Sequence, residues 1–290
     1  MKVLALCTLI ILSLPSLSLS ANLFDNLQVL VKPDSKEAGM ISGAVQMLAG
    51  AKDIDYPTER SIGESLALEG LQRFGTPVKN ELLQQYVNLV GTAVACNSKR
   101  ATIPYQFAVL DSSVQNAFAV PGGIIFISRA LVGLLDNEAE LAAVLAHEIG
   151  HVSAKHALTT IQRTQLLQGA GKVAAAGIGG EKGKKYAATI TGLQTALFDK
   201  GLDKEMEFEA DAAAMETTYR TGYNPSAMIT VLKKLQKLEV ASKDKKGSWF
   251  STHPPLSERI ERLQTQLKQY PDYEALANVR ERFLKSGKMK

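Results

Sequence analysis

Cysteine is almost absent from this 290-residue chain, which has only Cys7 and Cys96. Cys7 sits early in an apolar N-terminal run, directly after Leu6, and does not suit a lipid-attachment position. With that run removed only Cys96 remains, so an internal disulfide is excluded and a packed core must hold the fold together. A strong charge of one sign is also missing. Thirty-three basic residues face twenty-nine acidic ones, and a net charge of +4 argues against a nucleic-acid partner. Beyond the N-terminus there is no apolar run of membrane-spanning length; the stretch Leu166–Gly180 is rich in Gly and Ala, contains Lys172 and falls short. No internal repeat and no appended partner-binding module is visible. Histidine is scarce too, four in all, yet three lie between positions 147 and 156.

The N-terminus reads as a secretory signal. Lys2 precedes the apolar stretch Val3–Leu14, Pro15 breaks it, and Ser16–Ala21 offers small residues for cleavage after Ser20. Residues 1–20 are therefore expected to be a leader that exports the chain to the periplasm, with an uncleaved anchor as the alternative. The mature part, 21–290, is long enough to bury a sizeable core and is expected to form one domain centred on about 55–270. Basic clusters at Lys182–Lys185 and Lys285–Lys290 read as solvated loop and tail, and also permit peripheral association with an anionic membrane.

The chemistry is concentrated in His147-Glu148-Ile149-Gly150-His151. On an α-helix, positions i and i+4 share a face, so two imidazoles at this spacing converge on one metal ion. Glu148, rotated off that axis, is placed to reach a water in an open coordination position rather than to be a ligand. The preceding Asn137–Ala146 is rich in helix formers, carries acidic residues in its first turn and follows a candidate cap at Asp136. A catalytic zinc takes three protein ligands, so a third donor must come from elsewhere. Glu205–Ala214 reads as an acidic helix on which Glu207 and Asp211 share a face. By spacing alone Glu207 is either a ligand, with Asp211 bonding the far nitrogen of a ligand histidine, or one more surface charge. Glu205 and Glu209 fall on other faces and read as solvated.

These residues carry a resemblance. Asn116–Gly123 is similar to the NAFA-x-PGG segment, His147–His156 to the HExGHVxxxH block and Glu207–Asp211 to the E-[FY]-x-A-D block of one family of zinc metallopeptidases. That family includes the CAAX prenyl endopeptidases and the bacterial heat-shock protease HtpX, and the chain resembles its soluble periplasmic members. His253-Pro254-Pro255 with Arg259-Ile260 is a weaker fourth match, and Asp203-Lys204 departs from the Ser-Arg often found there. The resemblance implies a gluzincin site with one Zn²⁺ per chain held by His147, His151 and Glu207. It also implies a zincin-like α+β fold, mostly helical, with a small β-sheet beside the active-site helix.

Along the chain, helices are expected near Ser42–Leu48, Thr58–Phe74, Val78–Ala95, Ser226–Val240, Leu256–Leu267 and Tyr273–Phe283. Strands are expected at Tyr105–Leu110 and Ala117–Ile127, the latter broken by Pro121-Gly122-Gly123. Asn116, Ala117, Phe118, Ala119 and Val120 are the candidate edge to which an extended substrate pairs, against the plainer reading of a hairpin arm. Residues 166–198 are either a flap over the cleft or a packed helical connection. Glu148 is the expected general base and His253 a candidate oxyanion stabiliser; His156 braces the site. The expected function is a zinc endopeptidase acting on unfolded or misassembled envelope proteins. The alternative is a periplasmic chaperone or assembly factor that holds chains in the same cleft with little turnover.

Overall fold

The computed structural model describes residues 54–163, 198, 201–241, 253 and 256–286. The expected leader, the helix at Ser42–Leu48 and all of the expected flap except Phe198 lie outside the described residues. In chain order the elements are α1 (Tyr56–Phe74), α2 (Glu81–Ala95), β1 (Gln106–Leu110), β2 (Ala117–Val120), β3 (Ile124–Ser128), α3 (Arg129–Leu134) and α4 (Glu138–Ser153). They continue with α5 (Lys204–Thr221), α6 (Ala227–Ala241), α7 (Leu256–Leu267), a 3₁₀ turn at Tyr273–Ala275 and α8 (Arg280–Ser286). This is the mostly helical α+β fold the sequence predicts. Among the described residues no helix is long and apolar enough to cross a membrane.

The sheet has the order β1-β3-β2, with β1 parallel and β2 antiparallel to β3. Strands expose alternate side chains to opposite faces, and here both faces are covered. Phe107, Val109, Ala117, Ile125 and Ile127 join the core shared with α2 and α4, whereas Ala108, Leu110, Phe118, Ile124 and Phe126 join the one shared with α1. The continuous apolar run of β3 follows from that double burial. The two sheet edges differ. Along β1, the Gln84 carboxamide exchanges hydrogen bonds with Val109 (2.9 and 3.0 Å) and that of Asn88 with Phe107 (3.2 and 2.7 Å). Four residues apart on α2, these amides act in place of a fourth strand. The outer edge of β2 has no strand against it among the described residues and lies beside α4.

Three local expectations need correction. The helix expected from Val78 begins at Glu81, because Val78 N–H bonds Val109 (2.9 Å) and the Asn80 side chain caps the helix through Leu83 N–H. The cap of α4 is Asn137 rather than Asp136; its side chain accepts from Glu140 N–H (3.0 Å), while Glu140 reaches back to Asp136 N–H (2.8 Å). Tyr273–Phe283 is not one helix. Ala277 pairs with Tyr223, and the carbonyls of Asn278 and Val279 accept from the amides of Ala139 and Glu138 at the N-terminus of α4. Tertiary hydrogen bonds there replace those of a continuous helix.

Glu138, in the first turn of α4, is fully buried and accepts hydrogen bonds from Tyr86 (2.6 Å), Tyr223 and Arg282 (2.7 Å). Burial pushes its pKa up, but the bonds from Arg282, Tyr223 and Tyr86 outweigh it and hold the carboxyl below its ordinary value. A carboxylate with a depressed folded-state pKa contributes stability above its unfolded pKa and loses it as the pH falls through the folded value. Glu138→Gln turns amide hydrogens toward one tyrosine hydroxyl and one Arg282 N–H, both of them donors, and is expected to cost about 1–3 kcal/mol at pH 7. The check is the midpoint of urea unfolding, and the gap from the parent should narrow below about pH 4.5. An unchanged midpoint at pH 7 would contradict this reading.

Candidate active site

Two helices bring the acidic and imidazole groups together. Gly150 lies where α5 crosses α4: a Cβ there would stand 3.1 Å from the Ala210 carbonyl oxygen and 3.2 Å from its Cα. Glycine facing alanine lets the two backbones approach closely enough for short side chains to meet across them. His147, Glu148, His151, Glu207 and Asp211 are all buried, none more than 4% exposed.

His147 Nε2 is 3.0 Å from His151 Nε2 and 3.5 Å from Glu207 Oε2, and His151 Nε2 is 3.5 Å from Glu207 Oε1. Donors held about 2.0–2.1 Å from one tetrahedral zinc stand roughly 3.3 Å apart, so this triangle has the size of one face of a zinc polyhedron. Arg259 Nη1 lies 3.1 Å from Glu207 Oε2, but neither Glu207 oxygen makes a hydrogen bond of good geometry among the described residues. The donor set, its spacing and that under-satisfied carboxylate fit a zinc ion. His253 contributes a fourth donor atom; those of His147, His151, Glu207 and His253 all lie within 4.8 Å of one another.

Each imidazole is oriented from behind. Asp211 Oδ1 is 3.0 Å from His147 Nδ1, leaving Nε2 to face the cluster. For His151 the same position is filled by His156, with their Nδ1 atoms 2.9 Å apart. His156 gets there because α4 ends at Ser153 and Lys155 takes φ 56°, after which helical backbone resumes at residue 156. His156 Nε2 in turn lies 3.3 Å from Glu209, which is therefore a paired charge as well as an exposed one.

Sequence reasoning assigned no role to Arg259, which holds the cluster from below. It is fully buried, binds Asp211 through Nε and Nη2 (both 2.7 Å) and donates to the His253 carbonyl (2.9 Å). A signal for it existed: Leu256, Ile260 and Leu263 form the apolar stripe of α7, and Arg259 sits within it.

The electrostatics follow from burial and these partners. Burial lowers the His147 pKa, but Asp211 and Glu207 overcome it and raise the ring to about 9. Burial raises Glu148 to about 7, opposed by His147 and by the main-chain amide of Ala119, and reinforced by Glu207. Burial, then neighbouring positive charge, puts His151 well below its ordinary value. Burial raises Glu207 as well, against Arg259. For Asp211, burial would raise the carboxyl, yet Arg259 and His147 hold it down.

The cleft beside this cluster is lined by Glu148, His151 and His253 together with Asn116, Phe118–Pro121, Phe74 and Phe198. His253 Nε2 is 3.7 Å from Glu148 Oε1. Asn116 bonds Ser128 through its backbone, while its buried side-chain amide makes no hydrogen bond among the described residues. Because Asn116 points its carbonyl at β3, pleating turns the main-chain groups of Ala117 and Ala119 outward, away from β3.

Residues 81–267, more than half of the chain, match the family described as peptidase family M48. The chain is similar to the beta-barrel assembly-enhancing protease of Yersinia pestis, with 33% identity over 170 residues that cover 54% of this chain and 34% of that protein. It is 31% identical over 165 residues to metalloprotease LoiP of Escherichia coli K12, covering 57% and 63%. With the mitochondrial metalloendopeptidase OMA1 of Schizosaccharomyces pombe it shares 27% identity over 184 residues, covering 62% and 51%. The matched segment thus spans from 34% to 63% of the length of these relatives.

Arg259→Met removes the fork from Asp211 while roughly keeping side-chain length. Zinc affinity is expected to fall about 10–100-fold, the usual effect of losing a group that orients metal ligands. Competition with a chromogenic chelator measures it. Unchanged affinity in a folded variant would show that the guanidinium does not organise these carboxylates.

Proposed function

The chain belongs to peptidase family M48, and from that premise we propose that it is a zinc endopeptidase that cleaves unfolded or misassembled proteins of the bacterial envelope. The carrying observation is the buried triangle of His147, His151 and Glu207 donors beside the outer edge of β2. An extended chain pairs with that edge through the outward main-chain groups of Ala117 and the Ala119 carbonyl, the Ala119 amide being engaged by Glu148, and the Asn116 carboxamide adds a donor and an acceptor. β1 is closed by Gln84 and Asn88, so the sheet accepts an added strand on the cleft side.

Zinc, when bound by His147, His151 and Glu207, polarises the scissile carbonyl and lowers the pKa of water toward 7. Glu148 receives the proton of the attacking water and delivers it to the departing amine, a task suited to a carboxyl raised by burial to about 7. His253, beside Glu148 in the cleft, donates to the developing oxyanion. Asp211 and His156 keep the two ligand rings oriented. Export to the periplasm is supported by the leader-like residues 1–20. The envelope substrate class is supported by relatives named for β-barrel assembly.

Glu148→Gln tests the chemistry without touching a ligand. The variant is expected to keep one zinc per chain by elemental analysis, while casein cleavage falls by about 10²–10⁴-fold. Chelation should abolish the parent activity and zinc restore it. Cleavage by the variant at the parent rate would overturn the assignment of Glu148 and the enzyme reading with it; zinc-replete chain that only holds unfolded protein would favour an assembly factor.

A further inference from the structure

Glu59 is a buried carboxylate in the cleft wall that the proposed chemistry does not use. It lies on α1, ahead of the family-matched residues 81–267. Its partner Arg100 lies between α2 and β1, and the pair is doubly bonded, Nη1 to Oε1 at 3.0 Å and Nη2 to Oε2 at 2.9 Å. Each half then reaches a different wall of the cleft. Glu59 Oε1 accepts from Gly122 N–H at 3.0 Å, at the turn that ends β2. Arg100 Nη1 donates to the Val152 carbonyl at 3.0 Å, in the last turn of α4.

The turn is held from several directions. The Gly122 carbonyl accepts from Tyr56 and Arg60, both at 3.2 Å, so both main-chain groups of Gly122 are bonded to α1. Contact is close: a Cβ on Gly63 would lie 1.7 Å from the Pro121 oxygen, and one on Gly122, whose φ is 79°, 2.7 Å from Arg60 Cα. α1 therefore fixes one end of β2, and Arg100 ties that same point to the helix bearing His147, Glu148 and His151.

We propose that the Glu59–Arg100 pair is a positioning device for peptide hydrolysis, setting the distance between the edge strand that receives the substrate and the helix that carries the zinc ligands. This rests on the reading of β2 as the substrate edge. An added strand gains its hydrogen bonds only when its scissile carbonyl also reaches the ligand cluster, so the separation of the two walls governs substrate engagement. Neither residue touches the reacting atoms; both act through Gly122 and Val152.

The test uses the zinc-loaded chain from residue 21 to 290, and Arg100→Met as the first variant. KM for a fluorogenic peptide is expected to rise about tenfold with kcat within about threefold, the pattern of lost binding rather than lost chemistry. Zinc content should stay at one per chain. Arg100→Lys, which can keep one of the bonds, should recover part of the loss. Glu59→Gln, which keeps an acceptor for Gly122 N–H, should fall between Arg100→Met and the parent.

Amide hydrogen exchange of the same proteins supplies a readout that needs no catalysis. Arg100→Met should speed exchange in residues 117–124 and leave β1 protected. Unchanged KM together with unchanged exchange in a folded variant would overturn the proposal, as would a loss explained wholly by lost zinc or by uniformly faster exchange. If the parent shows no chelator-sensitive cleavage, the enzyme reading fails, and local exchange at 117–124 still decides whether the pair holds the turn.

Discussion

The site depends on one ionic arrangement: the Arg259 guanidinium, fully buried, bound in a fork to Asp211 and adjacent to Glu207. Burying charge is expensive unless each group is paired, and several kilocalories per ion are at stake here. Three carboxylates, Glu148, Glu207 and Asp211, share this interior with a single guanidinium. When all three are ionised and the imidazoles neutral, as metal ligation requires, two negative charges are left over among the described residues, the charge of one divalent cation. The arrangement has an order: Arg259 satisfies Asp211, Asp211 orients His147, and His147, His151 and Glu207 are left with inward-facing donor atoms. The same guanidinium holds the His253 carbonyl, so His253 beside Glu148 is fixed by the residue that also binds Asp211.

α4 carries His147, Glu148 and His151, and it is anchored at its N-terminus by a segment beyond the family-matched residues 81–267 and at its C-terminus by Arg100, which lies within them and is itself held by Glu59 ahead of them. At its N-terminus, Glu138 receives Arg282, and the carbonyls of Asn278 and Val279 accept from the first amides. At its C-terminus, Val152 is bonded to Arg100 and through it to Glu59 on α1. Between these anchors the helix is buried on every side, which accounts for its unbroken apolar sequence from Leu141 to Ala146. A helix so confined holds its imidazoles in fixed orientations, the preorganisation that metal ligation and general-base chemistry both require.

The parts legible in the sequence were those whose logic is local. HExxH spacing, helix-forming composition around it and the strand pattern interrupted by Pro121-Gly122-Gly123 depend on residues a few positions apart, and the structure places those elements within a few residues of expectation. Asp211 behind His147 was also legible, because the i and i+4 rule puts it on the face of Glu207. Long-range pairing was not legible. Nothing near Glu59 in sequence announces Arg100, forty-one positions away, and nothing in Tyr273–Phe283 shows that its middle would cap another helix. Arg259 is intermediate: a charge inside the apolar stripe of α7 was a readable anomaly whose partners only the fold supplies.

These two kinds of legibility divide the site by physical role. Metal-ligand and base groups must stand in fixed relation along one helix or across two that touch, so short motifs can encode them. Groups that set the shape of the cleft act over the separation of whole elements, and many different contacts can hold a strand and a helix at a given distance. Tyr56, Glu59 and Arg60 on α1 are one such solution, secured by glycines at 63 and 122 that admit backbone where any side chain would collide.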